Sequence, residues 1–221
     1  HATLDAAQLD LSLPAAAAGT APRRVQLRGL QARLSGSPAD ATLALDGTAR
    51  LAPQEVQLRL RAGGGIAGAK QWRLALQELR AAWTPDTAAK TTPWTAQLQA
   101  PLTATLQRSA SPDGWQVQAS GASLALQGPA PGTVRLEWQP LVAASASADN
   151  ANGLGLRLRS QGRLLGLPLA WAEALGADLQ AARQAGVSGD IVFDGAWDID
   201  AMDRLKASAQ VARRSGELLV R

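Results

Sequence analysis

The chain has no cysteine, no tyrosine, one phenylalanine (Phe193), three lysines and a single histidine, at position 1 of 221 residues. Each scarcity removes a class of chemistry. Without cysteine there is no disulfide, thiolate nucleophile or thiolate metal site. Without an internal histidine there is no Ser-His-Asp or Cys-His machinery and no histidine-based metal centre. Aromatic residues make up only 4% of the chain, so stacking platforms for nucleic-acid bases are few, and the net charge of +4 is spread along the sequence without a basic stripe. Nucleic-acid binding is therefore not expected. No run of about 18 apolar residues occurs, so nothing here reads as a membrane-spanning helix. The chain begins with His1, and no signal peptide is recognisable. The expectation is one segment, residues 1–221, of a longer protein whose targeting information lies elsewhere.

What the chain does have is alternation. In residues 189–200, G-D-I-V-F-D-G-A-W-D-I-D, the odd positions carry Ile191, Phe193, Gly195, Trp197 and Ile199. The even positions are mostly acidic. A period of two is the mark of a strand buried on one face. Asp194-Gly195 would suit a two-residue hairpin turn, but that pairing would put Asp198 and Asp200 on the apolar face. One strand bending at Gly195 keeps the apolar side chains together. Leu205, Ala207, Ala209 and Val211 then repeat the pattern.

The rest of the chain obeys the same rule. Leu9, Leu11 and Leu13 alternate, then Val25 and Leu27, with a parity switch at Gly29 to Leu30, Ala32 and Leu34 that predicts a β-bulge. Residues 35–40 read as a turn. Ala41, Leu43, Leu45, Gly47 and Ala49 echo 189–200, including a mid-strand Asp46-Gly47, which suggests an internal repeat. Val56, Leu58 and Leu60 follow, and residues 61–70 read as a flexible glycine-rich loop. Trp72, Leu74 and Leu76 begin another strand. The cleanest pattern spans 94–107, where Trp94, Ala96, Leu98, Ala100, Leu102, Ala104 and Leu106 alternate with polar residues. Pro101 in its middle implies a bend or an edge position. Trp115 and Val117, Leu124 and Leu126, Val134 and Leu136, then Leu154, Leu156 and Leu158 continue the series, with a small-residue loop at 140–153. Only 168–184 departs from it. Trp171, Leu175, Leu179 and Ala182 recur at helical spacing, with Pro168 suited to the first turn and Gly186 just past the end. That stretch reads as one helix capping or plugging the β structure.

No catalytic set emerges, so no enzyme activity and no cofactor are expected. Asp190, Asp194, Asp198, Asp200 and Asp203 form the main carboxylate cluster. Even-numbered carboxylates on one strand are about 7 Å apart per step, too spread to chelate a hard cation without a partner strand.

The segment 188–220, S-G-D-I-V-F-D-G-A-W-D-I-D-A-M-D-R-L-K-A-S-A-Q-V-A-R-R-S-G-E-L-L-V, resembles the TamB/AsmA-like family of periplasm-spanning proteins. Such proteins repeat a G-[DE]-L-x-[LV]-x-G-x-W-[DN]-[IV] strand, a D-x-L-x-[AG]-x-x-x-[LV] strand and an R-x-[SA]-G-[DE]-L turn. Here these correspond to Gly189–Ile199, Asp203–Val211 and Arg214–Leu218. The resemblance implies a mainly β protein, a long, curved, mostly antiparallel sheet folded into an open hydrophobic groove (a β-taco). It also implies a periplasmic chain whose parent is anchored in the inner membrane, phospholipid acyl chains as cargo and an outer-membrane TamA-like assembly protein as partner. The residues expected to line the groove are Leu43, Leu45, Trp94, Leu98, Leu102, Leu106, Leu124, Leu136, Leu156, Ile191, Phe193, Trp197, Ile199, Leu205 and Val211, an aliphatic surface with no polar group to fix a head group. The competing expectation is a structural β scaffold whose apolar faces form a dry core between two sheets.

Overall fold

The computed structural model describes residues 1–13, 23–51, 54–84, 93–108, 114–128, 131–145, 156–174 and 187–220. Twelve strands come first: β1 (Ala2–Leu13), β2 (Arg23–Ser37), β3 (Asp40–Leu51), β4 (Gln54–Gly68), β5 (Gln71–Thr84), β6 (Trp94–Leu98), β7 (Leu102–Arg108), β8 (Trp115–Ala119), β9 (Ala122–Gln127), β10 (Thr133–Trp138), β11 (Leu141–Ser145) and β12 (Leu156–Pro168). A short helix, α1 (Leu169–Ala174), is followed by β13 (Val187–Gly189), β14 (Val192–Asp200), β15 (Lys206–Ser215) and β16 (Leu218–Val220).

Fourteen of the strands form one sheet, and β13 with β16 forms a two-stranded ribbon. The pairing order looks complicated only because three long strands are each broken in the middle. β5 pairs with β6 through Arg80–Trp83 and with β7 through Gln71–Leu76. β9 and β8 take the next place in the same two halves, then β10 and β11, and both halves rejoin on β12. The molecule is thus an up-and-down antiparallel meander, with β1 at one edge and β15 at the other.

The breaks fall in line. They lie at Gln99–Pro101, Ser120–Gly121 and Gln139–Pro140. Proline cannot donate to the ladder, which explains two of them. Backbone bonds still stitch the sheet across this crease, from Gln99 N–H to Ser123 O at 2.9 Å, Ser120 N–H to Thr103 O at 2.8 Å and Gln139 N–H to Gln161 O at 2.9 Å. The 94–107 pattern is therefore two strands, β6 and β7, instead of one, and the apolar parity survives the break.

Directly opposed residues of an antiparallel pair point to the same face. One line of register partners is Leu34, Leu43, Ala62, Leu76 and Leu102. Another is Leu98, Leu124, Leu136, Leu164, Gly195 and Val211. The opposite face carries lines such as Gln31, Asp46, Arg59, Arg80 and Gln97. One face is predominantly apolar, with Arg108 and Arg213 as charged exceptions, and the other is predominantly polar.

The bulge expected at Gly29 is present. Residues 29 and 30 lie opposite Gly47, with Gly29 at φ 56°, so Leu27 and Ala32 share a face. Asp194-Gly195 is not a hairpin turn, because Gly195 pairs with both Leu164 and Val211. The irregularity expected at Gly195 sits in the facing strand, where Leu165 and Gly166 (φ 76°) oppose Asp194. Each Asp-Gly pair thus lies beside a glycine bulge in its neighbour. The strand itself starts at Val192, since the chain breaks from the ladder at Asp190 and Ile191.

Two expected loops are strands. Residues 61–68 belong to β4, leaving a turn at Ala69-Lys70. Gly64 and Gly65 serve close approach: a Cβ on Gly64 would collide with the Arg73 carbonyl, and one on Gly65 with Pro38 and Ala39, whose turn bonds back through Ile66 N–H to Pro38 O at 2.8 Å. Leu141–Ser145 of the expected 140–153 loop is β11, because it supplies the lower half of a broken strand. Pro168 ends β12 opposite Val192, and the helix starts after it. Residues 175–184 of the expected helix, and Leu154, lie outside the described residues.

Candidate functional site

The apolar face has no second sheet over it among the described residues. Extensive contacts between elements run between hydrogen-bonded neighbours, and the remaining one places α1 on β12. Burial is correspondingly local. Trp94, Val134 and Trp171 form the core cluster, with Trp83, Leu126, Leu164 and Leu167 packed around it. Trp94 and Trp83, register partners, stack at 6.0 Å, and Trp171 meets Trp94 edge-on at 4.7 Å. The start of α1 therefore covers one end of the apolar face, and Val134 beneath it is 0% exposed.

The expected lining residues distribute as follows. Leu43, Leu45, Leu98, Leu102, Leu124, Leu136 and Leu156 are half-buried on the strands of this face, and Trp94 is buried at its covered end. Leu106 is more open, at 36% exposure. Phe193, Trp197 and Ile199 face Leu167, Gly162 and Ser160 of β12. The Trp197 indole lies across Gly162, where a Cβ would strike the ring, and its N–H donates to Ser160 Oγ at 3.2 Å. Ile191 is buried, but in the connection before β14, where its carbonyl accepts the Leu169 N–H at 2.8 Å. Leu205 and Val211 sit at the exposed edge, Val211 at 76% exposure. Val134, Leu164, Trp83 and Trp171 share the face with them.

Arg108 carries a further distinction that sequence reading passes over. Its register partner is Trp115, so it lies on the apolar face. The available signal is the parity of 94–106, in which 108 is the next inward position.

The polar face is held by cross-strand pairs. Arg59 meets Asp46 at 2.7 Å, and Arg61 and Arg80 share Glu78 at 3.5 and 3.2 Å. Two shallow hollows between these long side chains share Asp46 and Arg59. The acidic stripe of β14 is likewise partnered. Asp200 takes Arg159 at 2.7 Å, Asp198 accepts Gln161 at 3.0 Å, and Asp194 accepts the bulge N–H of Gly166 at 2.7 Å. The hydrogen bond from Arg159, then that from the Met202 backbone, holds Asp200 below the usual carboxylate value and raises Arg159 in turn. These groups are exposed, so each pair adds little stability. Among the described residues, no three carboxylates or imidazoles are grouped to hold a metal.

Fold and face together define a class: a one-sided antiparallel sheet that offers a continuous, largely uncovered apolar surface. No protein-family model, curated protein or solved structure matches the chain.

Proposed function

We propose that this sheet is a non-catalytic groove segment that holds phospholipid acyl chains, in a periplasmic bridge between inner and outer membranes. The observation that carries the reading is the apolar face, continuous across the meander and lacking a second layer among the described residues. Exposed apolar patches of this extent mark interaction with lipid or protein. Acyl chains laid on it would gain about 0.8 kcal/mol per buried CH₂, wherever along the face they lie. The crease gives the strands a line along which to bend around such cargo. The resemblance of 188–220 to the TamB/AsmA-like family supports the periplasmic setting, an inner-membrane anchor on the parent chain and a TamA-like outer-membrane partner. It also extends the role to outer-membrane protein assembly. Mass spectrometry of lipid extracted from the denatured, purified chain tests the reading: co-purified phospholipid is expected. A lipid-free chain that also fails to take up added phospholipid would sink it.

A further inference from the structure

Resting on the groove reading, we infer a site for an anionic phosphate head group at the end of the apolar face remote from α1. From β3 to β12, the strand residues of this face carry one charge among the described residues, Arg108. Arg108 belongs to a row that runs from the turn before β5 across β7, β8 and β11. Its N–H donates to Lys70 O at 2.9 Å, its register partner is Trp115, and the Trp115 N–H donates to Ser145 Oγ at 3.0 Å. The row inside it is wholly apolar: Ile66, Trp72, Leu106, Val117, Ala143 and Leu158. A cationic and polar rim thus borders an aliphatic floor, the order of groups in a phospholipid.

The dimensions agree. Four adjacent positions at ~4.8 Å spacing, one in the turn and three on strands, give a rim of about 14 Å. From Arg108 to Leu102, where the crease begins, is roughly 20 Å at 3.3 Å per residue. One bilayer leaflet contributes about half of a ~30 Å hydrocarbon core, so one lipid's tails fit between rim and crease. Charge complementarity selects the head group. Among the described residues, the segments meeting at this corner, 66–74, 104–108, 114–119 and 141–145, hold no carboxylate; their cations are Lys70 in the turn and Arg108 on the apolar face, with Arg73 on the polar face opposite Thr105. A guanidinium with a nearby ammonium binds phosphate through charge-assisted hydrogen bonds, and an indole spans an apolar-to-wet boundary.

The test titrates the whole chain, by tryptophan fluorescence, with dihexanoyl phosphatidylglycerol, dihexanoylglycerol and inorganic phosphate. The wild type is expected to bind the phospholipid about tenfold more tightly than the phosphate-free diglyceride. Arg108→Gln with Lys70→Gln is expected to erase that margin and leave diglyceride binding unchanged. Circular dichroism should show the fold retained, since both residues are exposed. A margin that survives the double substitution overturns the site. So does inorganic phosphate binding as tightly as the lipid with the same Arg108 dependence, which would describe a bare anion site. Binding of none of the amphiphiles removes the groove reading itself, whereas equal binding of both removes only the head-group site.

Discussion

Asp194 shows how much one side chain contributes when it answers a backbone irregularity. The bulge at Leu165-Gly166 frees an N–H from the ladder, and the Asp194 carboxylate accepts it at 2.7 Å, with Arg214 at 3.7 Å on the same oxygen. Asp194→Ala is expected to cost about 1–2 kcal/mol, the loss of a charge-assisted bond to a part-buried donor. Asp194→Asn keeps an oxygen acceptor and should cost less than half of that. Urea midpoints at constant m-value measure both, and equal losses would mean that the bulge does not depend on this bond. Asp200 answers to pH. Its folded value lies below the ordinary carboxylate value, first through the Arg159 hydrogen bond, then the Met202 N–H. The stabilisation is therefore present above the ordinary value and is lost as pH falls through the lowered one. It is small, because the pair is exposed and salt-screened. Carboxyl NMR should find Asp200 titrating below the ordinary value, and Arg159→Gln should move it upward; no movement would place the cause elsewhere.

The elements are legible wherever a period of two is clean, and obscured wherever backbone sterics override composition. The Leu, Ala and Trp positions expected from alternation do share a face, because a constant parity fixes the side even when register is unknown. Gly63, Gly64 and Gly65 read as a loop because glycine is a poor strand former; only the approach of the Pro38-Ala39 turn to Gly65 and of the Arg73 carbonyl to Gly64 reveals why strand β4 needs glycine at these two positions. The crease is half visible, through Pro101. Its alignment with Gly121 and Pro140 depends on which strands pair, and single-strand periodicity carries no such information. The helix illustrates a further limit: spacing marks Trp171 as inward without naming its partners. It packs against Trp94 and beside Gly128, where an added Cβ would lie 2.9 Å from ring carbons of both indoles. Trp171→Ala is expected to cost about 3 kcal/mol or more. Gly128→Ala, by overpacking, should cost about 1–3 kcal/mol. Combining the two should recover part of the Gly128→Ala cost, since removing the indole vacates the space that the added methyl needs. Strict additivity in chemical unfolding would contradict the contact.

At the scale of the molecule, the meander has a covered end and an open expanse, and this difference separates a carrier surface from a dry scaffold. Val134 is fully buried in the cluster with Trp171 of α1 and Trp94 of β6, whereas Leu98 and Leu102 are half-buried on either side of the crease. A carboxylate at position 134 would meet neither water nor a partner, so Val134→Asp is expected to unfold the chain or cost more than about 4 kcal/mol. Leu98→Asp and Leu102→Asp place the same charge where solvent can reach it. Each is expected to keep the β circular-dichroism spectrum and most of the stability, while interrupting the proposed lipid path at the crease. Uptake of phospholipid from vesicles should then fall several-fold in the Leu98 and Leu102 variants without a matching loss of fold. The contrast matters more than either number. Were Leu98→Asp to unfold the chain as thoroughly as Val134→Asp, the apolar face would have to be covered along its whole length, and the carrier reading would give way to an ordinary packed core.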